Sequence, residues 1–478
     1  MHTSRTAKDW DALLDRLQHV ADPPADDAVA AIVGDWQNLP PDADVQALRD
    51  AHGGQWKKLG QATALLNTLG TNGTLEQWPG KEPEGDDEVF RTVQHFVRAQ
   101  QALPDWADTA KLQRAETLFY EYGPLSCILL FCASLPECYV LPDLAMVLHR
   151  AGQLEQHTEY RIRSTAAMIF PVMMRGGLSD ASGSGRGQIL KVRLIHATIR
   201  NLILHGHPRQ AFGGPGATEP RVVPAHPALA AEPGMHAAMF AGGWDAGRQG
   251  VPCNQEELAY TLLTFSFVYL RGLRRLGLGL DAADEEAYLH CWNVAASVLG
   301  VDDALMAHTM DEAQTLFDCM QARARRGPAP TPDPRPALGR ALVHAMEQTI
   351  PIDWLKPFAP LMTRYLSGWR TAELVGIDEH VSGLSRVLFE LVISTVRLID
   401  TLARRIWPQF SLSRLITRVL GYRLVTRLLM DQTRSLRLPP QLLGHADAML
   451  DHWSDDPHAP RWINAIEDRL TTYGSWRD

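Results

Sequence analysis

Apolar residues recur along this chain at intervals of three and four, and that period predicts helices almost from end to end. Alternating strand patterns are scarce, so the expected class is all-α, a multi-helix globular fold. Short helices are expected over residues 8 to 70, punctuated by Asp22-Pro23-Pro24 and Leu39-Pro40-Pro41. A polar loop follows from Thr71 to Asp87, and helices resume at about 88 to 103 and 109 to 119. Residues 123 to 150 are very apolar and interrupted by Pro136 and Pro142, which predicts central helices with a kink or turn between them. An amphipathic helix is expected over 154 to 175. Between it and the next helix, Gly176 to Gly187 contains SGSGRG and reads as a flexible hairpin. So short a connection implies antiparallel neighbours, able to bring Arg161, Thr165 and His196 face to face.

That next helix, Gln188 to Gly206, carries a histidine on its apolar side. Ile189, Val192, Ile199 and Ile203 lie at −7, −4, +3 and +7 from His196, which puts the imidazole inside an aliphatic stripe flanked by Arg193 and Arg200. Two roles fit the pattern. One is a core histidine bonded to a backbone carbonyl. The other is an axial haem ligand, which needs a neutral imidazole in a dry slot and cations for the propionates; Arg193 and Arg200 are the candidates for those contacts. Periodicity does not choose between them.

Further along, a Gly/Pro-rich loop runs from His207 to Gly234, long enough to act as a covering element or to be a solvated excursion. His205 and His207 form an HxH beside Pro208, where a turn is the commoner meaning than a metal site. Asn254 is placed to cap a helix running to Leu276, with Glu256 and Glu257 in its first turn, where the helix dipole favours acids. Helices are expected at about 282 to 299 and 303 to 325, then a Pro-rich linker. The resulting organisation is N-terminal peripheral helices and loop (1–87), a core (88–325), a linker (326–337) and a C-terminal helical region packed on the core (338–478). In that last region Trp354, Trp369, Trp407, Trp453, Trp462 and Trp476 are available for packing.

Composition narrows the function classes. With 478 residues and 45% hydrophobic the chain can bury a large core. A net charge of −9 argues against general nucleic-acid binding. The basic charge is concentrated: Arg386 to Arg437 holds ten arginines against Glu390, Asp400 and Asp431. Over 384 to 434 this predicts either a solvated arginine face or contact with an anionic membrane surface or acidic partner. Cysteines at 127, 132, 138, 253, 291 and 319 form no CxxC pair, which excludes a zinc ribbon and covalent c-type haem attachment. The first residues lack the pattern of a signal peptide and no apolar run is of membrane-spanning length, so a cytoplasmic protein is expected.

Four stretches, in order, carry a resemblance: SLPECYVLPDLAMVLHRAGQL at 134 to 154, EYRIRSTAAMI at 159 to 169, KVRLIHATIRNLI at 191 to 203, and VPCNQEELAYTLLTFSFVYLRGLRRLGL at 251 to 278. Together they resemble the latex-clearing protein and MpaB-type oxygenase family, a haem b domain family, over roughly residues 90 to 310. The resemblance implies a globin-like haem pocket between long helices, one non-covalent haem b, and His196 as its proximal ligand and the site's metal contact. Arg161 and Thr165 match the family's RxxxT helix and are implied to line the pocket as catalytic and cofactor-binding residues. Asn254, Gln255 and Glu256 match a further motif, expected to cap and orient helices.

Two positions depart from the family pattern. Ser164 stands where latex-clearing enzymes have a lysine, and no glutamate lies near Leu144 to Leu148, with Glu137 and Glu159 the nearest acids. The implied reaction uses O2 as co-substrate to cleave a carbon–carbon double bond into two carbonyl products, here on an apolar isoprenoid-like molecule rather than a polymer. Met168, Met173 and Met174 and the apolar stretch 123 to 148 would suit a substrate tunnel or a plain core. Two rivals remain: a haem-binding gas or redox sensor without turnover, and an amphipathic helical protein of the membrane surface.

Overall fold

The computed structural model describes residues 6–78, 87–152, 158–211, 220–232, 234–327, 329–348, 350, 353–377, 381–403, 405–406, 411–424, 462 and 464–465. Among them the chain is helical almost throughout, and strand is confined to a two-residue antiparallel ladder pairing Val222 with Asp245 and Val223 with Trp244. The all-α expectation holds. Helix starts follow side-chain chemistry: Asp44, Asp87, Asp108, Asn254 and Asp281 each accept a backbone N–H from the first turn of the helix that follows. One apolar core runs from Trp10 to Phe389.

Pro136 does not break the central segment. Pro124–Leu129 continues through a π turn, Leu130–Ser134, into Leu135–Cys138. The wider turn gives the proline ring room where an α turn would press a carbonyl against it. Pro142 does open a new helix, Pro142–Gly152. Residues 124 to 138 are all buried, and the cavity bordered by Phe119, Cys127 and Leu130 measures only about 10 Å³, so this stretch is core rather than tunnel wall.

The two helices expected to be neighbours, Thr158–Met173 and Gly185–Leu204, pack on one another. Their connection is not the flexible hairpin predicted from SGSGRG. Asn72 Nδ2 donates to the carbonyls of Gly177 (2.8 Å) and Asp180 (2.9 Å), its Oδ1 accepts from the Arg186 N–H (3.2 Å), and the Gly73 N–H donates to Ala181 O (2.8 Å). From the other side the buried Glu116 carboxylate accepts the Gly176 N–H at 2.8 Å. Gly176 has φ +70°, and a Cβ on Gly177 would sit 2.2 Å from Pro171 O. The glycines are there for close approach, not for looseness.

N-terminal residues back the histidine helix. Pro23–Val33 packs directly on it, and Trp36 Nε1 donates to Asn201 Oδ1 at 2.8 Å. At the other end of the chain Gly383–Ala403 packs through Phe389 and Val396, and its buried Asp400 accepts the Leu412 and Ser413 N–H groups that open Leu412–Leu424. Arg414 and Arg418 lie inside, Arg414 donating to Glu121 O at 2.8 Å, so the expected solvated arginine face is not formed by these two. Residues 425–434 of the predicted basic stretch lie outside the described residues, as do Trp407, Trp453 and Trp476, while Trp354, Trp369 and Trp462 are exposed rather than packed.

Candidate functional site: the buried histidine and its surroundings

The aliphatic stripe of the histidine helix is real: Ile189, Ile199 and Ile203 are buried and Val192 is packed against the core. His196 sits within it in an unusual state. Burial, helped by the nearby positive charge of Arg200, lowers its pKa to about 3, so the ring is neutral at any ordinary pH. Nδ1 is enclosed and has no hydrogen-bond partner among the described residues. The side chain nevertheless keeps part of its surface accessible.

His205, nine residues on, shows the contrasting case of a structural histidine. It closes the helix in the left-handed conformation, φ 47°, stacks on Phe240 and places Nε2 3.0 Å from the Phe240 carbonyl. His207 instead pairs with Asp27 (2.9 Å) and accepts the Arg209 N–H. The HxH is thus a turn, and no group of three or more metal-type ligands occurs among the described residues.

The flanking arginines are each paired with a carboxylate. Arg193 binds Asp22 bidentately, Nε to Oδ2 at 2.6 Å and Nη2 to Oδ1 at 2.8 Å, and donates to Val298 O at 2.9 Å. Arg200 pairs with Asp26 (2.7 Å) and donates to Cys253 O (2.9 Å). Both pairs are buried. Both guanidiniums are neutralised by acids at or in the Pro23–Val33 helix, although the buried Nη2 of Arg200 has no partner among the described residues. Their work is to fix the rotation of the histidine helix.

Across the helix pair, Thr165, Ala167 and Met168 are half-buried, as are Val192 and Ile195 on the histidine side; Met173 is fully enclosed. The side chains of Glu159 and Arg161 lie outside the described residues. Arg163, not singled out from the sequence, is completely enclosed. Glu137 is unsuited to act as a base. Its carboxylate accepts from Arg271 (2.5 Å), Gln321 (2.6 Å) and Thr371 (3.0 Å) and serves as a buried junction. Sequence reasoning also passed over Arg150, whose Nη2 donates to Gly243 O at 3.0 Å while the buried Nη1 has no partner among the described residues. Burial holds its pKa below the ordinary value, so a carboxylate placed there would be favoured.

The Asn254 motif does what capping chemistry predicts. Asn254 Oδ1 accepts the Glu257 N–H (3.0 Å), Gln255 ties Ala21 O and Gly300 O together (both 2.9 Å), and Glu256 pairs with Arg323. Its role is architectural, joining the N-terminal residues to the loop beside Arg200.

Comparison with known proteins settles the family. Residues 130–398 match the model for the catalytic domain of ER-bound oxygenase mpaB/B' and rubber oxygenase. The chain belongs to this family. The rubber oxygenase of Streptomyces sp. (strain K30) is 23% identical over 315 residues, an alignment covering 65% of this chain and 66% of that protein, just under two thirds of its length. The structure of latex clearing protein LCP in the closed state superposes with a TM-score of 0.56 at 19% identity, over 91% of this chain and 90% of that one, which establishes a shared fold. His196, Thr165 and the Glu137 junction all fall inside the matched oxygenase domain.

Proposed function

We propose that the chain is a haem b-dependent oxygenase that uses O2 to cleave the double bond of an apolar, isoprenoid-like molecule, with His196 as the iron's protein ligand. The observation that carries this reading is the state of His196: neutral, desolvated, with part of its surface still accessible among aliphatic side chains and its Nδ1 without a partner among the described residues. Those are the properties an axial imidazole needs, and a core histidine of the ordinary kind would lack the last two. Membership of an oxygenase family, and a relative named for acting on rubber, support both the chemistry and the apolar substrate class.

Bound haem would supply the dioxygen chemistry. The protein's share is binding, orientation and exclusion of water. Burial keeps His196 unprotonated, the Asp22 and Asp26 pairs hold its helix in one rotation, and the Asn72 and Glu116 clamp sets the helix bearing Thr165 beside it. Thr165, Met168, Val192 and Ile195, part-buried on the two packed helices, would offer the cofactor and substrate apolar surface with one hydroxyl. Arg150 Nη1 and Arg200 Nη2, both buried and without a partner among the described residues, are donors that a propionate could use. The overall balance adds both oxygen atoms of O2 to the two alkene carbons as the carbon–carbon bond breaks, giving two carbonyls with no external reductant.

The test is incubation of the purified protein with a short polyprenyl substrate under oxygen, scoring carbonyl products. Products that require O2 and vanish in His196→Ala are expected. Equal product formation by the variant, or none from any isoprenoid offered to a haem-replete wild type, contradicts the reading.

A further inference from the structure

A cavity of about 390 Å³ opens between the Ala7–Leu17, Pro142–Gly152, Gln255–Phe265 and Met310–Arg326 helices. That is room for a small organic molecule, and none of the residues assigned to the His196 site lines it. Its wall carries four acids, Asp15, Asp143, Glu256 and Glu257. The arginines beside them are largely engaged. Arg323 pairs with Glu256 (3.1 Å) and with Asp15, and Arg326 pairs with Asp11 (3.1 Å). Arg248 acts on Asp143 through its charge, and Asp143 accepts a bond from the neutral amide Gln249 Nε2 at 2.9 Å.

Glu257 stands apart from the other three. It lines the cavity at only 4% exposure, and its Oε2 has no partner among the described residues. Burial lifts its carboxyl well above the usual range and the neighbouring Asp143 charge lifts it further, against backbone hydrogen bonds at Cys253 and Asn254 that favour the charged form. Burial raises Asp143 as well. A buried acid left without a partner is costly, and two acids that repel across one cavity wall are relieved together by a single positive charge. Among the described residues no group of three or more metal-type ligands could hold a metal ion, and the cavity is far larger than an ion. An organic ammonium suits it better: the head offers N–H donors to the acids, and the hydrocarbon body lies against Leu141, Pro142 and Met320.

We propose that this cavity binds a small organic amine as its ammonium ion, held by the carboxylates of Glu257 and Asp143. On binding, Glu257 gives its proton to solvent and faces the ligand as an anion. The site stands on its own residues, independently of what His196 holds.

The test is titration calorimetry of the full-length protein with 1,4-diaminobutane, beside butane-1,4-diol as the uncharged control, in two buffers of different ionisation enthalpy. Saturable binding of the amine is expected, none of the diol, and a heat that changes with the buffer because a proton is released. Glu257→Gln and Asp143→Asn should each weaken binding at least ~10-fold. Glu257→Gln should melt like the wild type, since an amide replaces a carboxyl that already carries its proton. Asp143 is only part-buried, so Asp143→Asn gives the same reading at a position more tolerant of change. Three results overturn the proposal. One is no saturable heat with the amine, or equal binding of the diol. The second is wild-type affinity in both variants. The third is calcium that binds in place of the amine and is lost in the same variants, which assigns the acids to a metal ion.

Discussion

His196 and His205 lie on one helix and both are held near pKa 3 by burial, yet they differ in what surrounds the ring. One is bonded and stacked; the other has an Nδ1 without a partner among the described residues. The residues that make the difference lie far away in sequence. Asp26 neutralises Arg200, which lies one turn from His196, and burial raises the Asp26 carboxyl above its ordinary value while Arg200 pulls it back down. Removing one member of a buried pair strands the other charge, at a cost of about 3–5 kcal/mol, whereas removing both charges is far milder. Asp26→Asn should therefore destabilise the protein by roughly 3 kcal/mol in urea unfolding, and adding Arg200→Gln should recover most of the loss. A single variant of near wild-type stability, or a double variant no better than the single, would show that the pair does not do this.

At this scale the sequence was informative about His196 and silent about its partners. Helical spacing placed the imidazole among isoleucines, and the isoleucines are buried as expected. Spacing placed Arg193 and Arg200 beside it as well, but nothing local links them to Asp22 and Asp26, more than 170 residues earlier (Arg193 to Asp22 spans 171). A buried ion pair is a tertiary fact. The same limit hid Glu116 and Asn72, whose function is to satisfy backbone groups of a distant loop.

Among the elements, the connection between the Thr165 and His196 helices misled because glycine and serine signal flexibility in a linker and close approach in a packed turn. Contacts decide which. Gly177→Ala places a methyl 2.2 Å from Pro171 O and 2.6 Å from Val172 O, both backbone atoms that cannot yield cheaply. A loss of at least ~2 kcal/mol is expected by thermal or urea unfolding. Gly54 provides the control: it lies within the Val45–Leu66 helix with nothing within 4 Å of its Cβ position, so Gly54→Ala should stabilise by up to about 1 kcal/mol. Similar responses at the two positions would mean that the connection is as loose as its composition suggests. Capping residues were the most legible element feature. Asn254 was placed correctly because the cap and the Glu257 N–H it accepts lie three residues apart.

For the whole molecule, class and family were open to sequence: helical periodicity gave the all-α fold, and four ordered stretches gave a resemblance that the family match over 130–398 bears out. The proline content misled locally, at Pro136, because a π turn is not encoded by any simple period. Of the two readings the apolar stretch allowed, tunnel or core, residues 124 to 138 take the second: all are buried.

The measurement that bears most directly on this account is the absorption spectrum of the purified protein, oxidised, reduced and with CO, beside that of His196→Ala. The wild type should show a haem Soret band that shifts on reduction and with CO, and the variant should lose the cofactor or change its ligand spectrum while keeping its helical circular dichroism. A wild type that takes up no haem even on reconstitution, or a variant whose spectrum is identical, would contradict the assignment of His196.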